Sequence, residues 1–354
     1  MRHVSATAYI NRIATVVPPH DVHDRFVEYV SRHLLDGTMA AAFARMARRS
    51  GIEHRYSVLP PAASTVTAAI DADGFYTRGA FPSIGARMRL FEAHAPNLAV
   101  AAIAHLGIAE PSSVTHLVIT CCTGFAAPGL DFEIVDRCRL SPGVERTFIG
   151  FMGCYAAING LKVARHIVRS DPGAIVLAAN VELCSLHLRE TADLAELLSF
   201  LLFGDGCSAA LVSARAEGVS IDGFDVLAIP NTRDFVTWAV RDQSFEMRLS
   251  GQLPAALQAA LAREPELRGN HRDRLWAVHP GGRTILDAVA NGLQLERCAL
   301  DPSRSVLRDF GNMSSATVMF VLARILGSRN RGKTGLAMSF GPGVVAELMH
   351  FSVV

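Results

Sequence analysis

Three residues far apart in the chain carry side chains suited to one kind of chemistry. In ERTFIGFMGCYAAINGLKVARHIV an apolar run leads through Gly150 and Gly153 to Cys154, and a helical pattern starts immediately afterwards. The sulfur therefore belongs at a helix N-terminus, where free N–H groups and the positive end of the macrodipole favour a thiolate, the more so beside an imidazolium. The flanking glycines suit a sharp strand-to-helix turn. A small residue packed at a tight turn fits the segment equally well. His279 closes the apolar run LWAVHP ahead of Pro280, Gly281 and Gly282, so its imidazole belongs at the C-terminal edge of a strand, where α/β sheets keep their sites. A structural or solvent-facing histidine is the plainer alternative. Asn312, in RDFGNMSSATVMFVL, lies on a polar turn before a helix, and its carboxamide can cap that helix or donate to an oxyanion.

Cys154, His279 and Asn312 together supply a soft nucleophile and two neutral hydrogen-bond donors, with no triad carboxylate. That set suits carbon–carbon bond formation on thioesters. Cysteine accepts an acyl group, while His and Asn hold a malonyl thioester carbonyl and stabilise the enolate left when carbon dioxide departs. A Cys-His hydrolase uses similar letters, but decarboxylative condensation needs no activated water, and the apolar flanks of all three residues point to a dry pocket. A catalytically dead partner subunit is a further alternative, but it has no need for all three.

The elements that must position these residues read as α/β throughout. Short apolar runs at 116–120, 145–150, 174–183, 207–214, 275–280 and 334–340 alternate with helical patterns, and several are continuous, as expected where helices cover both faces of a sheet. In 156–170, Ile158, Leu161, Ala164 and Val168 recur at helical spacing. A change of character near Arg215 to Gly218 divides an N-terminal region, 1–215, from a C-terminal one, 216–354. Segment 59–83 is rich in Pro, Gly, Ala and Ser and reads as a long surface excursion.

Composition narrows the field further. The 354 residues are half hydrophobic, and 34 Lys and Arg mix with 33 Asp and Glu, which leaves no nucleic-acid surface in view. No apolar stretch reaches the roughly 18–20 residues that span a bilayer, and no signal-like N-terminus is present, so a cytoplasmic protein is expected. Seven cysteines without paired CxxC spacing suggest reduced thiols and neither a zinc site nor a disulfide framework.

The motifs GCYAAINGLKVA, LFGDGCSAALV, HPGGRTILDAV, GNMSSATVMFVL and SFGPGVVAE, in this order and at compatible spacing, resemble the chalcone and stilbene synthase superfamily, the type III polyketide synthases. The resemblance implies a thiolase fold, five-layered αβαβα with two similar halves, packed as a homodimer. It makes Cys154 the residue that carries the growing chain, with His279 and Asn312 on the malonyl carbonyl. It needs no metal or organic cofactor, since acyl-CoA and malonyl-CoA are substrates and CoA is a product. Phe203 and Met247 match the two gatekeeping phenylalanines, the first retained and the second replaced. Arg45 and Arg49 match basic residues that face CoA phosphates, while Ala42 stands where a third is usual.

The same resemblance makes Cys122, Thr123, Cys184, His187, Trp238, Ser314, Gly341 and Pro342 pocket residues, and directs Ala127 toward the partner's cavity. Thr123, Ala127 and Cys184 look like the bacterial alkylpyrone and alkylresorcinol synthases, whose small residues leave a tunnel for a fatty acyl chain. His187 and Trp238 take up volume and keep open a short-starter or malonyl-only product, such as a phloroglucinol or tetrahydroxynaphthalene. A ketoacyl synthase that stops after one condensation is the nearest rival. The long-chain reading ranks first.

Overall fold

The structure, a computed structural model, describes residues 6–64, 67–268, 274–296, 298–327 and 330–354. Besides a short pair, His20–Asp21 with Tyr56–Ser57, its strands are β1 (Tyr9–Val16), β2 (His116–Cys121), β3 (Glu145–Gly150), β4 (Val176–Leu183), β5 (Asp205–Ser213), β6 (Val219–Ala228), β7 (Val236–Val240), β8 (Phe245–Leu249), β9 (Leu275–Val278), β10 (Thr334–Gly341) and β11 (Val345–Val353). Strands β7 and β8 form a separate antiparallel ribbon; the other nine run in the order β9-β10-β11-β6-β1-β5-β4-β2-β3.

Those nine strands are one pattern used twice. From β1, the neighbours are β5 and β4, each antiparallel to the last, and then β2, parallel to β4. From β6, the neighbours are β11 and β10, again antiparallel, and then β9, parallel to β10. The first half adds β3 outside β2. The halves join only where Tyr9 faces Ser220 and Ile10 faces Val219.

Alternation along each strand builds the layers, because successive side chains point to opposite faces. Val176 and Ala178 of β4 point inward and join Ala277, Ala337 and Met349 of the second half around two central helices, α3 (Ala156–Ser170) and α6 (Thr317–Leu326). Leu177 and Ala179 point outward to α2 (Ile84–His105), while Trp276 and Val278 meet α4 (Leu253–Leu261) and α5 (Arg283–Leu293). The result is the five-layered thiolase fold, and covering both faces of each sheet explains the continuous apolar runs. Strand β3 departs from that pattern, since it lies at the sheet edge with Phe148 43% exposed.

Segment 59–83 runs largely over the surface, as its composition suggests, and is pinned to the body at a few points. The Asp71 carboxylate accepts the backbone N–H groups of Asp73, Phe75 and Tyr76, and this clip turns Ile70 and Tyr76 into the interior. No helix among the described residues is long and apolar enough to cross a membrane, and no group of them could hold a metal ion.

Leu322, fully buried on α6 between the two sheets, tests how tightly the central layer is packed. Leu322→Ala should cost about 2–5 kcal/mol in chemical denaturation. A loss below about 1 kcal/mol would mean that the central layer collapses around the gap.

Candidate active site

The N-terminal ends of the two central helices come together. Cys154 sits on a single 3₁₀ turn, Gly153–Tyr155, that leads into α3. Phe151 and Gly153 both adopt left-handed backbone, at φ 57° and 73°. A Cβ on residue 153 would stand 2.3 Å from Pro342 Cδ, so conformation and space both require glycine there.

Asn312 precedes the turn that starts α6 and is tied by its backbone to the segment containing Phe203. Its N–H donates to the Leu202 carbonyl at 2.8 Å, and its own carbonyl accepts from Gly204 at 3.0 Å. The Asn312 Oδ1 accepts from the Ser314 N–H at 2.9 Å and the Thr317 hydroxyl at 3.4 Å. Capping and donation are therefore not alternatives. With Oδ1 engaged in the turn, the amide's donor end is left for Cys154, which also receives a hydrogen bond from Ser314. His279 follows β9, its N–H bonded to the Met338 carbonyl at 2.7 Å. Its ring is 1% exposed, and neither ring nitrogen has a partner among the described residues.

Electrostatics bear on one expectation. Burial pushes the Cys154 thiol up to about 12; Ser314 and Asn312 pull it down and Glu182 adds to the rise. Burial likewise drives His279 down to about 3. Burial thus works against the charged form of both groups, opposing the helix terminus and the two hydrogen bonds to the sulfur.

A cavity opens at Cys154, lined also by Cys122, Thr123, Cys184, His187, Phe203, Trp238, Met247, Ser314, Gly341 and Pro342. Gly153, Phe200 and Val236, which sequence reasoning did not single out, complete it. His279 and Asn312 are buried and do not line the open space itself. Met247 and Trp238 face each other across the β7–β8 ribbon, and Trp238 Nε1 donates to the Cys122 carbonyl at 2.8 Å. His187 is not a free polar ring. Its Nε2 donates to the Thr123 carbonyl at 2.7 Å, its Nδ1 accepts from the Phe245 N–H at 3.3 Å, and its ring stacks on Phe245 at 4.2 Å. Both nitrogens are spent on the wall, which leaves none for an intermediate.

Other expected residues lie elsewhere. Arg45 and Arg49 are exposed on α1 (Gly37–Arg49), outside the cavity, and Ala127 is exposed beyond β2. Arg283, not anticipated, brings a further cation beside α1, with Nη1 on the Arg49 carbonyl at 3.1 Å. Glu182 was also missed. Wholly buried on β4, it accepts from the Cys122 N–H at 3.0 Å, the Thr123 hydroxyl at 2.9 Å and the Ser315 hydroxyl at 2.5 Å. Burial pushes it up to about 7. Its signal in the sequence was a single acid inside the apolar run AIVLAANVEL.

Two family models match the chain: the chalcone and stilbene synthase N-terminal domain over residues 4–216 and the C-terminal domain over 226–354. An alpha-pyrone synthesis polyketide synthase-like protein, Pks18, of Mycobacterium tuberculosis is 31% identical over 99% of this chain and 92% of its own. Bisdemethoxycurcumin synthase of Oryza sativa is 31% identical over 97% and 91%. Among solved structures, PKS-I of the brown alga Ectocarpus siliculosus is 28% identical and superposes with a TM-score of 0.84 over the full length of both chains. The C-terminal type III polyketide synthase domain of Steely1 from Dictyostelium, at 22% identity, shares the fold with a TM-score of 0.89 over 98% of this chain and 99% of that one.

A thiol raised by burial has a kinetic signature. Alkylation of Cys154 by iodoacetamide, followed by peptide mass spectrometry, should accelerate about tenfold per pH unit from 7 to 10, because only the thiolate reacts. Glu182→Gln should raise the rate at every pH by removing the like charge. A rate that levels off near neutrality would show an ion-paired thiolate and sink this account.

Proposed function

The chain belongs to the chalcone and stilbene synthase family and is a type III polyketide synthase, and on that premise we propose that it extends a medium- or long-chain fatty acyl-CoA with malonyl-CoA and cyclises the product to an alkylpyrone or alkylresorcinol. In this reading Cys154 attacks the starter thioester, its thiol proton passes to His279, and CoA leaves. Malonyl-CoA then loses carbon dioxide. The enolate oxygen takes hydrogen bonds from His279 and Asn312, and its carbon attacks the acyl-cysteine thioester, which returns the sulfur for the next round. The unpartnered nitrogens of His279 support this role, because a buried donor without an acceptor is stabilised once a substrate oxygen arrives.

The observation that carries the long-chain reading is a second chamber. It shares Cys184, Phe200 and Phe203 with the Cys154 cavity and is walled by Phe26, Leu59, Ile70 and Leu188. Each methylene buried there contributes about 0.8 kcal/mol, so chain length is read strongly. Pks18, by its name, is linked to alpha-pyrone synthesis, in keeping with this product class. Trp238, whose indole occupies one wall of the first cavity, favours the second reading, a short or malonyl-only starter.

We also propose a homodimer, with Arg45 and Arg49 on the CoA phosphates. Phe125, Phe132, Phe148, Phe151 and Met152 are all exposed, Phe125 packs on Phe151 and shares a surface cleft with Phe148, and the outer edge of β3 has no neighbouring strand among the described residues. An apolar patch beside an open sheet edge suits a second copy.

Incubation with labelled malonyl-CoA and acyl-CoA starters from acetyl to palmitoyl should yield alkylpyrones or alkylresorcinols from the long starters, and none with Cys154→Ala. Aromatic products from malonyl-CoA alone would overturn the long-chain reading within the same family. In sedimentation velocity the protein should run as a dimer, and Phe148→Arg should shift it toward monomer.

A further inference from the structure

We propose that the second chamber receives the far end of a starter acyl chain that terminates in a carboxylate, with Arg55 as its counter-cation. The proposal rests on the acyl-CoA reading above and narrows the starter's chemistry. Arg55 lines this chamber and is only 3% exposed. Its Nε donates to His23 Nδ1 at 3.1 Å, and its Nη1 donates to the carbonyls of Phe200 at 3.1 Å and Phe203 at 2.6 Å. Its Nη2 has no partner. The Phe26 ring covers the guanidinium at 4.7 Å.

The carboxylates around Arg55 are spent elsewhere. Asp71 is held by three backbone N–H groups. Asp205 accepts from the N–H groups of Val58 and Ser185 and from the Ser185 hydroxyl. Asp21 accepts from the N–H groups of His23 and Arg55 and pairs with His54. Among the described residues no carboxylate forms an ion pair with Arg55. The chamber thus combines apolar walls, Phe26, Leu59, Ile70 and Leu188, with a polar side where Arg25 and the backbone-bound Asp71 also stand, and with one buried cation, Arg55, that keeps a donor in hand. A methyl-ended chain leaves that donor unsatisfied. A carboxylate supplies the missing acceptor and adds to the pull that Asp21 and Asp205 exert from further off, and hydrogen bonds to charged groups are the stronger kind.

The test is a steady-state comparison of three CoA thioesters of matched chain length, ending in a carboxylate, in its methyl ester, or in a methyl group, each with malonyl-CoA. The wild-type protein should favour the carboxylate by about tenfold or more in kcat/KM, with the ester between. Arg55→Met should erase the preference, and Arg55→Lys should keep part of it. Because Arg55 also holds the Phe200 and Phe203 carbonyls, its variants can fail to fold; the wild-type comparison is decisive without them. Equal or poorer use of the carboxylate starter while fatty acyl-CoA is extended overturns this inference and leaves the long-chain reading standing. Extension of acetyl-CoA alone, or of nothing, overturns both.

Discussion

The walls of the site depend on one buried carboxyl group. Glu182 takes hydrogen bonds from the Cys122 N–H, the Thr123 hydroxyl and the Ser315 hydroxyl, so it binds the end of β2 to the turn that starts α6. The chain of contacts continues in both directions. Thr123 Oγ1 also accepts the Leu183 N–H, while Ser315 meets Thr120, Thr120 donates to Asn180, and Asn180 donates to Ser208 on β5. A polar network crossing an apolar core is costly wherever it is incomplete, and each of these links closes one such gap. Cys122 extends the frame to the nucleophile turn, where its sulfur accepts the Gly153 N–H at 3.0 Å.

Around that frame the protein keeps its reactive groups dry. The helix terminus at Cys154 supplies at most about 2 kcal/mol toward a thiolate. Enclosure between two sheets and the ribbon works in the opposite sense, toward a protonated thiol. The same enclosure disfavours the charged form of His279, and a neutral ring can donate from one nitrogen and accept at the other. Such a site has little to activate a water with.

What was legible in the sequence follows the range of the interaction. Cys154, His279 and Asn312 stand at element ends, which glycines and the edges of apolar runs mark locally. The layers were legible for a similar reason, since a strand apolar on both faces announces helices on both sides. Glu182 and Arg55 were not legible. Glu182 meets partners 60 and 133 residues away, and Arg55 reaches 145 and 148 residues to its carbonyls, distances at which no periodicity informs. The burial that opposes a thiolate at Cys154 was not legible either, because a dipole is local and desolvation belongs to the whole enclosing fold. Segment 59–83 is the surface excursion its composition suggests, but the Asp71 clip that tucks Ile70 and Tyr76 inward was not legible.

The join between the halves sets an order of assembly. Strand β1 lies between β5 and β6, with Tyr9 paired to both Ser213 and Ser220, so the first sheet cannot close until more than half of the chain has left the ribosome. Even then one face of α3 stays bare, because Ala337, Met349 and Phe351, which help to cover the central layer, come last. A nascent chain paused between those points displays an apolar helix and a strand with an unfilled side. Such exposed apolar surface is what makes a partly made chain prone to aggregate before its second half arrives.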